Sequence, residues 1–192
     1  MQIAIFPPVL GVRQGTLDAV HRLRADGHAA HVVDPFEGRA FDDYEPAMNN
    51  AWEQIGQAEL LRRALDGTRD LPDEFVAVGF SLGCLLAGYV ATERKVSGVV
   101  MIAGAIPVSA LGEQWPRGVP AQTHSSVGDP WREQEEIDQA VRDVEAAGAR
   151  IEVYDYPGSG HLFSDPTLPD EYDPASTQLL WDRVLAFVRR LG

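Results

Sequence analysis

The sequence predicts an α/β fold: a mostly parallel sheet in three layers, covered by helices on both faces. Three observations predict it. Strand-like and helix-like runs alternate from one end of the 192 residues to the other. The most apolar runs, Phe75–Val78 and Val96–Ala103, suit strands buried on both faces. No repeat, low-complexity tract or linker divides the chain, so residues 1–192 are expected to form a single domain.

The elements follow in order. Residues 2–6 read as a buried strand stopped by Pro7-Pro8. Residues 13–26 read as a helix with Leu17, Val20 and Leu23 on one face and Gly27 as its stop. Ala29 to Val33 is a second strand, followed by a loop through Phe36, Arg39, Phe41 and Tyr44. One helix is expected over 48–66, closed by Gly67. A strand over 74–79 leads into Gly79-Phe80-Ser81-Leu82-Gly83, and a helix over 82–93 leads out. Val96 to Ala103 is a strand, and 104–118 a Gly- and Pro-rich loop with a short turn near Ala110. Ala121–Val127 and Arg150–Tyr156 are strands flanking a helix over 130–147, and a loop through the acidic stretch Ser164 to Pro174 precedes a helix over 175–191.

Composition narrows the function. The chain carries 16 Lys and Arg against 29 Asp and Glu, a net charge of −13. Such a surface repels phosphate backbones and anionic membranes, so neither nucleic acid nor a membrane is an expected partner. No apolar run approaches the ~20 residues that span a bilayer. No signal peptide is visible, and a cytoplasmic protein, monomer or small homo-oligomer, is the default reading. The lone Cys84 can form no intrachain disulfide and no cysteine-based zinc site. It reads as a small buried helix residue. No cofactor and no metal are expected, and a nucleotide site is disfavoured because Pro7-Pro8 fills the turn where a Gly-rich loop would stand.

The central motif is G-x-S-x-G between a strand and a helix, the context of a nucleophile elbow. Glycines at 79 and 83 leave room where strand and helix close on each other. Alone, such a match arises by chance roughly one time in twenty in a chain this long. Two further residues change its weight. Asp129 follows the strand ending at Val127, and His161 follows the strand ending at Tyr156. Ligands of open parallel sheets bind beyond the carboxyl ends of the strands, so Ser81, Asp129 and His161 all fall where chemistry is expected. The order Ser, Asp, His predicts a nucleophile, an orienting acid and a general base. Asp155 is the rival acid but lies within or at the end of its strand. Individually, Asp129 has the setting of a turn or helix-capping residue and His161 that of a loop histidine; the constellation favours the triad. His124 lies in the strand before Asp129 and reads as a core or rim residue.

Two backbone donors are needed for an oxyanion. Leu82 follows the nucleophile and supplies the first. Pro7 and Pro8 have no N–H, so Val9 is the first donor available after the opening strand.

These segments resemble the dienelactone hydrolase family of α/β-hydrolases. The resemblance rests on Pro8-Val9-Leu10-Gly11-Val12, the elbow, Gly128-Asp129-Pro130 and Gly158-Ser159-Gly160-His161-Leu162-Phe163, and spans nearly the whole chain. It implies the three-layer α/β-hydrolase fold with a minimal lid and hydrolysis of a small carboxylic ester or lactone. The chain looks like a trimmed version of that fold, without leading antiparallel strands. The family's best-known members use a cysteine nucleophile partnered by a glutamate; the matching positions here are Ser81 and Pro8. Phe36, Arg39, Trp131 and Leu162 are candidate substrate contacts near the strand ends. The alternatives are a thioesterase or acyltransferase on the same triad, and a ligand-binding protein on a hydrolase fold.

Overall fold

Strands β1 (Gln2–Phe6) and β3 (Phe75–Phe80) pair in parallel, with Phe6 opposite Gly79. The other strands are added around this pair in a computed structural model that describes residues 1–192. They are β2 (Ala29–Val32), β4 (Val96–Ile102), β5 (Ala121–Ser126) and β6 (Ile151–Tyr156), giving one sheet in the order β2-β1-β3-β4-β5-β6. All five pairings are parallel. The chain moves outward from β1 to β2, then returns past β1 and builds in the other direction. The loops leaving β1 and β3 therefore diverge over a crevice at the switch point, where parallel sheets bind ligands.

Helices cover both faces because the central strands are apolar on both. Every residue of β3 is buried. Right-handed crossovers place α1 (Gln14–Ala25) on one face and α3 (Gln57–Asp66), α4 (Leu82–Glu93) and α5 (Gln134–Ala146) on the other. The last helix, α6 (Pro174–Leu191), joins α1, and Arg189 pairs with Asp26 at the end of that helix. Asp173 caps α6 by accepting the Ser176 N–H at 2.7 Å. Helix α4 is buried nearly all round, packed against β1, β3 and β4. No helix is long and apolar enough to cross a membrane.

One expected element is different. The helix expected over 48–66 is three pieces: α2 (Tyr44–Asn49), a π-helical turn (Asn50–Ile55) and α3, separated from that turn by Gly56. Gly56 has φ 84° and ψ 152°, a conformation other residues avoid, and its N–H closes an i→i−5 bond to Ala51. Apolar periodicity continues across the break and does not reveal it. The helix expected over 130–147 also begins later, at Gln134, because residues 129–132 form a turn.

His124 lies wholly in the core. Its Nε2–H donates to Gln122 Oε1 (3.1 Å), and its Nδ1 accepts from the Tyr156 hydroxyl (2.8 Å). Burial, assisted by the Arg183 charge, pushes its titration down to about 3. A buried neutral histidine has a definite linkage. Its contribution is complete above the ordinary histidine range near ~6.5 and drains as pH falls toward the depressed folded value, since the unfolded chain takes the proton first.

Two predictions concern stability. A Cβ on Gly83 would overlap the backbone carbonyl of Phe6, with no flexible side chain to give way. Gly83→Ala is expected to lose about 3 kcal/mol in urea unfolding, or to fail to fold; wild-type stability would contradict this packing. Between pH 7 and pH 5 the His124 site is expected to cost roughly 1–2 kcal/mol, so stability falls with acidification. His124→Asn should flatten that slope in the same titration, and an unchanged slope would refute the assignment.

Candidate active site

Ser81 is the single residue between β3 and α4, with φ 51° and ψ −116°. A non-glycine residue held there costs of order 1–3 kcal/mol, and such strain persists only where neighbours enforce it. Its N–H donates to Ile102 O (2.8 Å), and its carbonyl accepts the Cys84 N–H (2.8 Å). Gly79 and Gly83 permit the turn, since a Cβ on Gly79 would overlap Gly83 and one on Gly83 would overlap Phe6.

The second and third groups come from adjacent strand ends. β5 and β6 stay tied beyond their ladder: Val127 N–H donates to Tyr156 O and Gly128 N–H to Gly158 O, each at 2.9 Å. The loops carrying Asp129 and His161 therefore leave the sheet together. Asp129 is 7% exposed and His161 7% exposed, so both partners are shielded from water. Asp129 Oδ1 accepts the Trp131 N–H (2.8 Å), leaving Oδ2 to accept from His161 Nδ1 (2.7 Å). A carboxylate only accepts, so Nδ1 carries the proton and Nε2 is free to accept the Ser81 hydroxyl at 2.7 Å. Asp129 thus has both its turn role and its histidine contact. Asp155 is engaged elsewhere, with Arg132 at 2.8 Å.

The histidine loop is held from behind by residues the sequence did not single out. The Glu171 carboxylate accepts the Leu162 N–H (2.6 Å) and the Tyr44 hydroxyl (2.9 and 3.1 Å). Burial and the neighbouring Glu171 charge hold the Tyr44 phenol well above its usual range, so it remains a donor. A Cβ on Gly160 would overlap the Glu171 carbonyl, which explains the glycine before His161. Tyr44 and Trp131 pack beside the imidazole, each with its ring centroid 6.1 Å away. Two carboxylates of the acidic stretch are tied to neighbouring segments. Asp165 is buried against Gly15 and lies 3.5 Å from Arg13, while Glu171 braces the site.

Ser81 and His161 open into a cavity of about 180 Å³. Val9 and Leu82 line one side; Met48, Trp52, Ile106 and Trp131 supply apolar walls, and Glu136 stands on the lining as well. Met48 and Trp52 come from α2 and the π-helical turn. Of the candidate substrate contacts, Trp131 faces this cavity and Phe36, Arg39 and Leu162 do not. Phe36 is 1% exposed, drawn into the core by Asp34, whose carboxylate accepts the N–H groups of Phe36 and Gly38. Arg39 belongs to a larger open depression of about 730 Å³ bordered by Phe41, Glu45 and Asn49, which contains neither Ser81 nor His161. Leu162 turns inward toward Pro8 and Phe80. Of the two, only the smaller cavity holds a hydroxyl hydrogen-bonded to an imidazole.

Cys84 sits beneath the elbow, fully buried, with its thiol pushed up to about 12 by desolvation. It is in no position to act as a nucleophile. No group of three or more His, Cys, Asp or Glu side chains is placed to hold a metal ion.

Comparison with solved structures finds the same architecture. A dienelactone hydrolase-like promiscuous phosphotriesterase from metagenomic libraries superposes with a TM-score of 0.82 at 19% identity, covering 99% of this chain and 86% of that one. Alpha/beta hydrolase domain-containing protein 10 from mouse gives 0.73 at 15% identity, covering 100% and 90%. The RedJ thioesterase of the prodiginine biosynthetic pathway in Streptomyces coelicolor gives 0.65 at 17%, covering 97% and 89%. These likenesses establish the fold. Comparison with curated protein sequences finds no match. The family model for the dienelactone hydrolase family matches residues 2–192, and family membership suggests hydrolase activity on a small molecule. With a match over essentially its whole length, this chain belongs to the dienelactone hydrolase family.

Proposed function

We propose that the chain is a serine hydrolase that cleaves a small carboxylic ester or lactone through an acyl-enzyme. The observation that carries the reading is the hydrogen-bonded line from Ser81 Oγ to His161 Nε2 to Asp129, with 2.7 Å at each step. A serine hydroxyl attacks a carbonyl only when a base takes its proton, and a free imidazole nitrogen at hydrogen-bond distance supports that role. As Oγ bonds to the carbonyl carbon, the proton passes to Nε2. The resulting imidazolium is stabilised by the buried Asp129 carboxylate, which stays ionised.

The oxyanion then needs donors placed before the reaction begins. Leu82 is the first residue of α4, where helix N–H groups lack intrahelical partners and the helix dipole favours negative charge. Val9 lies on the loop from β1, the strand paired with β3, and borders the same cavity. Their N–H groups are the proposed oxyanion donors. Collapse of the intermediate expels the alcohol, which takes the proton from His161. Water then attacks the acyl-Ser81 ester, with His161 again as base, and as the carboxylic acid leaves His161 returns the proton to Ser81 Oγ. A lactone follows the same steps, with the alcohol remaining attached to the acyl group.

The serine in place of the family's cysteine is consistent with Pro8 in place of its glutamate: Pro8 brings no ionisable group to the nucleophile. Cavity size supports a compact acyl group over a long lipid chain.

The direct experiment is covalent labelling with a neutral organophosphonate. Mass spectrometry is expected to find one adduct, on Ser81, and none in Ser81→Ala; a folded wild-type protein that never labels would refute the proposal. Asp129→Asn removes the charge and favours the wrong imidazole tautomer. It should lower kcat on p-nitrophenyl acetate by about 10³- to 10⁴-fold with a far smaller change in KM; retention of activity within tenfold would remove Asp129 from this role.

A further inference from the structure

The cavity walls carry information about the substrate that the triad does not. They hold no lysine or arginine. The nearest cation in sequence, Arg132, is turned away, bonded through Nη1 to Asp155 and through Nη2 to Gln134, each at 2.8 Å. The lining instead combines three large aromatic side chains, Tyr44, Trp52 and Trp131, with the Glu136 carboxylate. Tyr44 and Trp131 lie with ring centroids 5.7 Å apart at 41°, so their faces are splayed rather than stacked.

Two further observations bear on this wall. Trp131 is 51% exposed and Trp52 36% exposed, unusual for residues whose burial is worth so much. Both border the opening above Ser81. Glu136 has its carboxyl raised above the ordinary range, first by desolvation and then by Glu133. Glu136 stands exposed at the rim of this aromatic-lined opening with no cationic partner, and a carboxylate so placed gains from an incoming cation. An anionic substrate would meet Glu136 without any counter-charge.

Resting on the serine hydrolase reading, we propose that the substrate carries an ammonium group. The site takes small esters of quaternary or fully substituted amines, with the ammonium held at the rim against the exposed Trp131 and Trp52 side chains and beside Glu136. Aromatic faces attract such cations through their quadrupoles, and quaternary ammonium groups suit them because they are charged but poorly hydrated. The carboxylate adds a Coulomb contribution that an isosteric neutral group cannot collect. No covalent step beyond ester cleavage is involved: the ammonium stays on its own fragment throughout.

The test uses the full chain and two isosteric pairs. Acetylcholine and 3,3-dimethylbutyl acetate are compared as substrates. Choline and 3,3-dimethylbutan-1-ol are compared as ligands by tryptophan fluorescence, which needs no turnover. The cationic member is expected to win by about tenfold in kcat/KM and about tenfold in dissociation constant. Glu136→Gln and Trp131→Leu should each reduce both ratios to about threefold or less, with unfolding midpoints reporting that the fold is kept. Equal or reversed preference in the ligand titration, or ratios unmoved by both variants, would overturn the inference. The two readings fail separately. Ester hydrolysis without cation preference removes the ammonium proposal alone, whereas choline binding in a protein whose Ser81 never labels removes the hydrolase reading and leaves the ammonium site standing.

Discussion

The site depends on one backbone contact, the approach of the first turn of α4 to the end of β1 at Gly83 and Phe6. Any side chain at position 83 would push the helix off the sheet. With the glycine in place, β3 can turn into α4 within one residue, and that residue must accept a strained φ of 51°. The same contact brings the Val9 loop beside the elbow, because β1 and β3 are neighbours in register. The turn at Ser81, the helix N-terminus behind it and the neighbouring Val9 loop are thus consequences of one packing constraint.

The histidine side of the site is built differently. Ser81 sits on a rigid strand–helix junction, whereas His161 sits on a loop, and loops need bracing. Here the brace is a half-buried carboxylate, Glu171, which accepts from the main chain next to His161 and from Tyr44. Tyr44 in turn packs against the imidazole. Position and ring orientation are therefore coupled through one acceptor. Because the carboxylate accepts several hydrogen bonds, its burial is compensated rather than costly.

The broken helix over 44–66 connects the fold to the cavity wall. A continuous α-helix would carry its apolar stripe along the sheet. The π-helical turn and Gly56 break the helix; Trp52 on that turn lines the cavity, and Met48 just before it lines the cavity while packing against the core. Wide turns of this kind are often kept where a side chain must be presented. Trp131 reaches the opposite wall by similar means, from the turn that Asp129 itself organises through its bond to the Trp131 N–H. The residue that orients the imidazole thereby also fixes one side of the pocket.

Much of this was legible in the chain alone. Strand and helix alternation determined the layer architecture, since apolar runs of those lengths can be buried in few ways. The glycines around Ser81 and the positions of Asp129 and His161 after successive strands determined which side chains could meet, because a parallel sheet delivers all its strand ends to one edge. What the pattern could not carry was the direction of individual side chains. Phe36, Arg39 and Leu162 lie on the right loops, yet local hydrogen bonds and core packing turn them away from the cavity. Glu171 and Tyr44 are 127 positions apart and share no local signature. Their pairing, the break at Gly56 and the aromatic wall above Ser81 were decided only by tertiary structure, because each depends on what distant segments place alongside.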